Sequence, residues 1–183
     1  MINPAEEIVN IWLQDHHKHF IMNNIVVPKE TRLNIKGRKI GGGRGKEIDF
    51  ISTDGKDNYY WIEVSVSPNP RLSGGAEKAR TALVDDVAKK FAKEKETWLK
   101  NNFGIKTPKK WFIYSPNLFS FFSKKIKVDE EKQFCDNLRK LGIITHSFKD
   151  VLKDVFNELN HFGYDSTRQY IFLLKKMGYK SVE

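Results

Sequence analysis

Glu47-Ile48-Asp49-Phe50-Ile51 and Trp61-Ile62-Glu63-Val64-Ser65-Val66-Ser67 are the two segments that decide the fold of this chain. Apolar residues alternate with Asp49 and Glu63 at a period of two, which predicts two strands with each acid on the face opposite its apolar neighbours. The linker between them contains the turn signal Asp54-Gly55 and is short enough to make the strands a hairpin. Both carboxylates can then share one face of the sheet.

Two carboxylates on one face repel each other. At a separation of about 4 Å and an effective dielectric constant near 20, the repulsion is roughly 4 kcal/mol, so a proton or a divalent cation must relieve it. Mg²⁺ takes oxygen ligands and keeps water molecules for chemistry, and the pattern therefore favours Mg²⁺. The alternative is a pair of sheet acids that face solvent with a turn between them.

Composition bounds the class of protein. The chain has 183 residues, 39% hydrophobic and 30% charged, which is enough for one well-buried domain, and we expect a single domain over 1–183. A net charge of +9 and a pI near 9.5 favour a polyanionic partner. DNA is the first choice, and RNA stays open.

Cysteine usage and hydropathy indicate the compartment. Cys135 is the only cysteine, so neither a disulfide within the chain nor a cysteine-based zinc site can form. Residues 1–7 lack a signal-peptide pattern, and no stretch approaches about 18 apolar residues. We therefore expect a cytoplasmic protein with no membrane partner.

The order of elements predicts an α/β fold with a mixed central sheet flanked by helices. We expect a helix from the Asn3-Pro4 cap to about His17, then strands at about 20–28, 31–40, 46–52 and 59–66. One long helix, from about Ala76 to Asn101, precedes a buried strand at 110–114. The remaining elements are a helix at 129–141, a short strand at 143–146, a helix from the Ser147 cap to about 161 and a last helix at 166–177.

The run Gly45-Lys46-Glu47-Ile48-Asp49-Phe50-Ile51, the Asp-Gly turn and Trp61-Ile62-Glu63-Val64 resemble the core of the PD-(D/E)xK nuclease superfamily, especially its Holliday-junction-resolvase-like and Mrr-like branches. The resemblance implies a restriction-endonuclease-like core at about 1–116 with extra C-terminal helices at about 117–183. It also implies a Mg²⁺-dependent endonuclease, with Mn²⁺ as a substitute, that hydrolyses phosphodiester bonds in branched or foreign DNA. Junction-cleaving relatives are commonly dimers, so a homodimer is a further expectation.

The same resemblance assigns site residues. Asp49, Glu63 and the Val64 carbonyl would hold the metal, and the family's water-activating lysine would stand two residues after the second acid, where this chain has Ser65. The family sometimes moves this cation to the following helix. Arg80 lies there on the apolar side and could orient phosphate or stabilise the transition state. The alternative is that Arg80 only snorkels at the end of an apolar face.

An upstream helix often supplies a further carboxylate in this family. Glu6 and Glu7 begin the first helix, and Glu6 is the preferred metal ligand. The alternative is that both acids only stabilise the first turn of the helix electrostatically.

A basic, glycine-rich loop precedes Asp49. It has five cations, five glycines and no acid between residues 36 and 46, which predicts phosphate contacts beside the metal site. The cations are Lys36, Arg38, Lys39, Arg44 and Lys46. A solvated turn with incidental charge is the alternative. The lysines between 89 and 100 are interrupted by acids and predict an ordinary exposed helix face.

Two other clusters have plainer interpretations. His16, His17 and His19 could suggest a metal, but a solvated helix end is the favoured interpretation. The phenylalanines at 119, 121 and 122 could stack bases or pin a connection onto the core.

Three functions follow from these patterns. The first is the Mg²⁺-dependent nuclease, and its rival is a nuclease-fold DNA-binding protein that has lost catalysis. A basic protein-interaction module on a similar fold is the third.

Overall fold

The computed structural model describes residues 3–28, 32–33, 39–40, 46–65, 76–119, 124–160, 163 and 165–180, with the backbone only at 32–33, 39–40, 76 and 124–127. The helices are α1 (Pro4–Ile11), α2 (Ala76–Lys90), α3 (Lys93–Phe103), α4 (Lys124–Lys140), α5 (Phe148–Glu158) and α6 (Ser166–Lys176). The strands are β1 (Phe20–Val27), β2 (Arg32–Leu33), β3 (Lys39–Ile40), β4 (Lys46–Thr53), β5 (Tyr59–Ser65), β6 (Lys109–Tyr114) and β7 (Ile143–Ser147).

A five-stranded mixed sheet, in the order β1-β4-β5-β6-β7, forms the centre of the molecule. β1, β4 and β5 are antiparallel neighbours, whereas β6 and β7 run parallel to β5. The predicted hairpin is present, because Phe50 pairs with Ile62 and Thr53 pairs with Tyr59. The α/β class with a mixed sheet flanked by helices is confirmed, and β7 joins the sheet from within the C-terminal third of the chain.

Helices cover both faces of the sheet. On one face α2, α3 and α4 pack over a core that includes Ile48, Ile51, Trp61 and Phe112. On the other face α1, α5 and α6 pack over a core that includes Phe50, Ile62, Val64 and Ile113. The alternation along the strands therefore does not separate a buried face from a solvent-exposed one. The face of the sheet that carries Trp61 and Glu63 is also buried.

The first helix starts as its sequence predicts and ends differently. The Asn3 side chain accepts a hydrogen bond from the Ala5 amide, and Pro4 occupies the first turn. After Ile11 the chain continues as a π-helix, Trp12–His16, rather than as regular α-helix. Wide turns of this kind redirect the side chains that follow them.

The predicted long helix after β5 is two helices, so that prediction is wrong. α2 ends at Lys90, the Phe91 amide bonds back to the Ala88 carbonyl, and Ala92 adopts an extended conformation before α3 begins. Phe91 is buried against Trp61, with the two ring centroids 5.1 Å apart. Neither Gly nor Pro stands at this point, so the sequence has no local signal for the break.

The remaining predicted elements are present with shifted ends. α4 begins earlier than predicted, and Ser147 caps α5 by accepting a hydrogen bond from the Lys149 amide. The predicted strand at 31–40 falls largely outside the described residues. Within this range the structure describes β2 and β3, which form a separate two-stranded sheet. Among the described residues, no helix is long and apolar enough to cross a membrane.

Candidate functional site

The acid pair lies where β4 and β5 stop pairing. The ladder between these strands ends at Phe50 and Ile62. At the next position the Asp49 Oδ2 atom accepts a hydrogen bond from the Val64 amide at 2.7 Å. A carboxylate therefore replaces a backbone carbonyl as the acceptor, and this fixes half-buried Asp49 at the end of the ladder.

Glu63 is held by a buried lysine. Its side chain is 2% exposed, and Oε1 accepts hydrogen bonds from Trp61 Nε1 at 2.9 Å and from Lys95 Nζ at 3.0 Å. Lys95 is itself 4% exposed and also donates to the Glu47 carbonyl at 2.6 Å. Removing either partner would leave the other charge buried without compensation.

A second ammonium approaches the other oxygen of the same carboxylate. Lys90 Nζ lies 3.7 Å from Glu63 Oε2, and the Lys90 side chain is much more exposed than that of Lys95. The buried acid therefore has one buried cation and one at the surface.

Burial and the neighbouring charges set the ionisation of Glu63. Burial raises the pKa of the Glu63 carboxyl, and the negative charge of Asp49 raises it further. Lys95, Lys90 and the hydrogen bond from Trp61 oppose this increase in pKa. The charge of Asp49 therefore disfavours the ionised form of Glu63, and the ammonium groups of Lys95 and Lys90 favour it.

Glu6 lies close enough to Asp49 for its pKa to be affected by the charge of that carboxylate. Burial raises the pKa of Glu6, the hydrogen bond from the Asn3 side chain lowers it, and the charges of Asp49 and Glu47 raise it further. Lys90 acts on the pKa of Glu6 in the opposite direction. The charges of Asp49 and Lys90 therefore act on the pKa of both Glu6 and Glu63.

Lys95 is the site residue that the sequence pattern does not reveal. The lysines between 89 and 100 were predicted to form an ordinary exposed face, and for Lys95 this is wrong. Lys95 precedes the fully buried Leu99 by one helical turn, so it shares the inward face of α3. The spacing of four residues between Lys95 and Leu99 was the sequence signal that could have revealed Lys95. The break before α3 has no such signal in the sequence.

Arg80 has a different partner from the one expected. Its Nη1 atom donates to Glu130 Oε2 on α4 at 2.6 Å, and both side chains are largely buried. The pair links α2 to α4. Among the described residues, the cations within 4 Å of the Glu63 carboxylate are Lys90 and Lys95.

The remaining predicted residues lie at the edge of the site or outside the described chain. Ser65 ends β5 half-buried, and its carbonyl accepts a hydrogen bond from the Ser115 amide. Lys46 is exposed and ion-paired with Glu94 at 2.6 Å. Lys39 lies in β3, where the structure describes only its backbone. The predictions for Lys36, Arg38 and Arg44 fall outside the described residues.

One oxygen atom of each acid suits a hard cation, and in Glu63 this atom, Oε2, lies 3.7 Å from Lys90 Nζ. From the described residues, neither Asp49 Oδ1 nor Glu63 Oε2 accepts a hydrogen bond. Carboxylate oxygens are the ligands that Mg²⁺ and Mn²⁺ take. The fit requires rearrangement, because no group of three or more His, Cys, Asp or Glu side chains in the described chain is arranged to hold a metal ion.

The histidines after α1 pack with aromatic rings, so the expectation of a solvated helix end is wrong for His17 and His19, whereas His16 is exposed. His17 lies edge-on to Trp12 with centroids 4.3 Å apart, and His19 is buried, with its Nδ1 atom 3.0 Å from Ser52 Oγ. Trp111 packs between His17 and His146. The Nε2 atoms of both His17 and His146 are buried and without hydrogen-bond partners among the described residues.

This cluster predicts a pH-dependent stability. Burial is the main cause that lowers the pKa of His17 from 6.5 to about 4, and the neighbouring imidazoles add to the effect. Between these two pKa values, His17 binds a proton in the unfolded chain but not in the folded one. The free energy of unfolding should therefore fall as the pH drops from about 6.5 to 4. Urea unfolding of native protein and of His17→Phe should show a shallower fall in the variant, by up to about 1.4 kcal/mol per pH unit, the limit for one proton. Equal slopes would exclude His17 as a source.

Phe119 is fully buried and contacts Phe134 with ring centroids 5.3 Å apart. It therefore pins the segment after β6 to the core, as the plainer interpretation predicted. The phenylalanines at 121 and 122 lie outside the described residues.

No family model matches this chain, and neither a curated protein nor a solved structure matches it.

Proposed function

We propose that this protein is a Mg²⁺-dependent nuclease that hydrolyses phosphodiester bonds in DNA. The observation that carries the proposal is the pair Asp49 and Glu63 at the end of the β4-β5 ladder, with a buried and a surface lysine on Glu63. Glu63 is a buried acid with a raised pKa and fixed partners, and groups of this kind cluster at functional sites. The net charge of +9 supports a polyanionic substrate.

Asp49 Oδ1 and Glu63 Oε2 would hold the ion, and Glu6 and the Val64 carbonyl are further candidates. When bound, Mg²⁺ would polarise the phosphate and lower the pKa of its water. Val64 fixes Asp49 through its amide, and Lys95 with Trp61 fixes Glu63. These contacts orient both carboxylates before substrate arrives.

Lys90 is the residue that we assign to the role of the missing family lysine. It is the more exposed of the two cations on Glu63, and its charge also acts on Glu6. An ammonium at that position can reach a phosphate and stabilise the negative charge of the transition state. Lys95 is a positioning residue, because its ammonium is committed to Glu63 and to the Glu47 carbonyl.

A DNA-binding protein without catalysis is the second candidate. The observation that favours it is the 3.0 Å bond between Lys95 and Glu63, because a lysine ammonium can neutralise a buried carboxylate permanently and remove the need for a metal ion. Both candidates bind DNA with strong salt dependence, and only the nuclease forms cleavage products.

A cleavage assay separates the two candidates. Labelled duplex, single-stranded and four-way DNA would be incubated with native protein in Mg²⁺, Mn²⁺ or EDTA, and we expect products only with metal. Lys90→Ala should slow cleavage by about 10²- to 10³-fold, the usual effect of removing one transition-state contact. Lys89→Ala is the matched control, since Lys89 is the adjacent, exposed lysine on α2 and pairs with Asp86. Absence of metal-dependent products from all three substrates would favour the DNA-binding protein.

A further inference from the structure

We propose that an open cavity between α3 and the start of β6 is a second phosphate-binding site, which holds the backbone of the same DNA a short distance from the acid pair. The inference deepens the proposed function and rests on it. The cavity has a volume of about 360 Å³. Its walls include Phe91, Lys93, Glu96, Lys100, Lys106 and Lys110.

The cavity brings together four ammonium groups and one carboxylate. Glu96 is engaged by Lys110, whose Nζ atom lies 3.0 Å from Glu96 Oε2. Lys93, Lys100 and Lys106 are exposed and form no ion pair with any acid of the described chain. Like charges around one concavity raise its positive potential, so the cavity should attract an anion.

Trp61 connects this cavity to the acid pair. Its indole Nε1 donates to Glu63 Oε1, and its ring centroid lies 5.6 Å from Lys95 Nζ and 6.0 Å from Lys110 Nζ. Phe91, which lines the cavity, packs against the same ring. Two residues that line the cavity, Phe91 and Lys110, therefore lie beside the indole ring that donates a hydrogen bond to Glu63.

The chemistry of the walls fits a backbone phosphate rather than a base. Lysine ammonium groups are flexible point charges that suit phosphate oxygens, to which the majority of protein–DNA hydrogen bonds are made together with the sugar. The cavity is open, so a continuous strand can cross it. We therefore commit to the sugar-phosphate backbone of DNA as the occupant.

Fluorescence anisotropy of a labelled DNA duplex in EDTA tests the inference, because binding is then measured without chemistry. The variant is Lys93→Ala/Lys100→Ala/Lys106→Ala, which leaves the Lys110–Glu96 pair intact. The matched control is Lys78→Ala/Lys132→Ala/Lys140→Ala, which removes three exposed lysines elsewhere. Both are titrated between about 50 and 200 mM salt, where counterion release dominates affinity.

We expect the cavity variant to bind DNA about tenfold more weakly or worse at low salt, with a log-log salt slope shallower by about 1 for each phosphate that the variant no longer neutralises. Affinities and slopes that equal those of the control would overturn the inference and leave the proposed function standing. A loss of affinity confined to single-stranded RNA, measured in a parallel titration, would overturn DNA as the occupant. Failure of native protein to bind DNA would overturn both this inference and DNA as the substrate of the proposed nuclease. Metal binding at Asp49 and Glu63 is measured without DNA, so that part of the proposed function is tested independently.

Discussion

Asp49→Asn and Glu63→Gln are each expected to abolish metal-dependent DNA cleavage, with a loss of at least about 10³-fold in rate. Both changes keep the shape of the side chain and remove the negative charge that a hard cation needs. The glutamine at 63 can still accept the hydrogen bond from Trp61 Nε1. The measurement is the initial rate of product formation from the best DNA substrate in Mn²⁺.

Asp129→Asn serves as the control for this experiment, because Asp129 is an exposed acid on α4. This substitution removes one negative charge, as the site variants do, and the Asp129→Asn protein should cleave DNA at the native rate. Cleavage by Glu63→Gln at a rate comparable with the control would contradict the assignment of the catalytic site.

Lys95→Met is expected to cost about 3–5 kcal/mol of unfolding free energy at pH 7, the usual effect of removing one partner from a buried ion pair. Glu63 would keep its burial and its repulsion by Asp49 while losing its closest cation. The double variant Glu63→Gln/Lys95→Met removes both charges and should recover most of this stability. Urea unfolding monitored by tryptophan fluorescence measures all three proteins.

The cost of Lys95→Met should also depend on pH. A raised pKa of Glu63 means that the folded state holds a proton more tightly than the unfolded state, so stability falls as the pH rises above the ordinary value of 4.5. Removal of Lys95 raises this pKa further, because Lys95 lowers it in the native protein. The difference between variant and native protein should therefore shrink as the pH falls towards 4.5. A small, pH-independent cost would show that Lys95 and Glu63 are not a buried ion pair.

Much of the fold follows from local pattern. The period-two alternation around Asp49 and Glu63 correctly predicts β4 and β5, and the Asp-Gly turn predicts their pairing. The Asn3-Pro4 cap predicts the start of α1, which in turn places Glu6 near the acids. These are short-range signals, because each depends on residues close together in sequence.

The features that local pattern does not predict depend on tertiary packing. The break between α2 and α3 has no local breaker, and the residue at the break, Phe91, is buried against Trp61. Arg80 was the expected cation because it lies on the apolar side of the helix after β5. In the structure Arg80 pairs with Glu130, and Lys95 contacts Glu63. The repulsion between the acids was expected, but its neutralisation by a buried ammonium was not.

That neutralisation changes how the acid variants should behave without metal. Asp49→Asn relieves repulsion on Glu63 and should leave the protein as stable as the native form or more so. Glu63→Gln leaves Lys95 buried without its countercharge and should lower stability. Asp49→Asn is therefore the cleaner variant for testing metal binding.

Thermal melts of native protein and Asp49→Asn, with and without millimolar Mn²⁺ and without DNA, test the central claim that the acid pair binds a metal ion. The native protein should gain about 1.4 kcal/mol of unfolding free energy when Mn²⁺ is tenfold above its Kd. Asp49→Asn should lose most of that gain while remaining folded. An identical response of the two proteins to Mn²⁺ would contradict the claim.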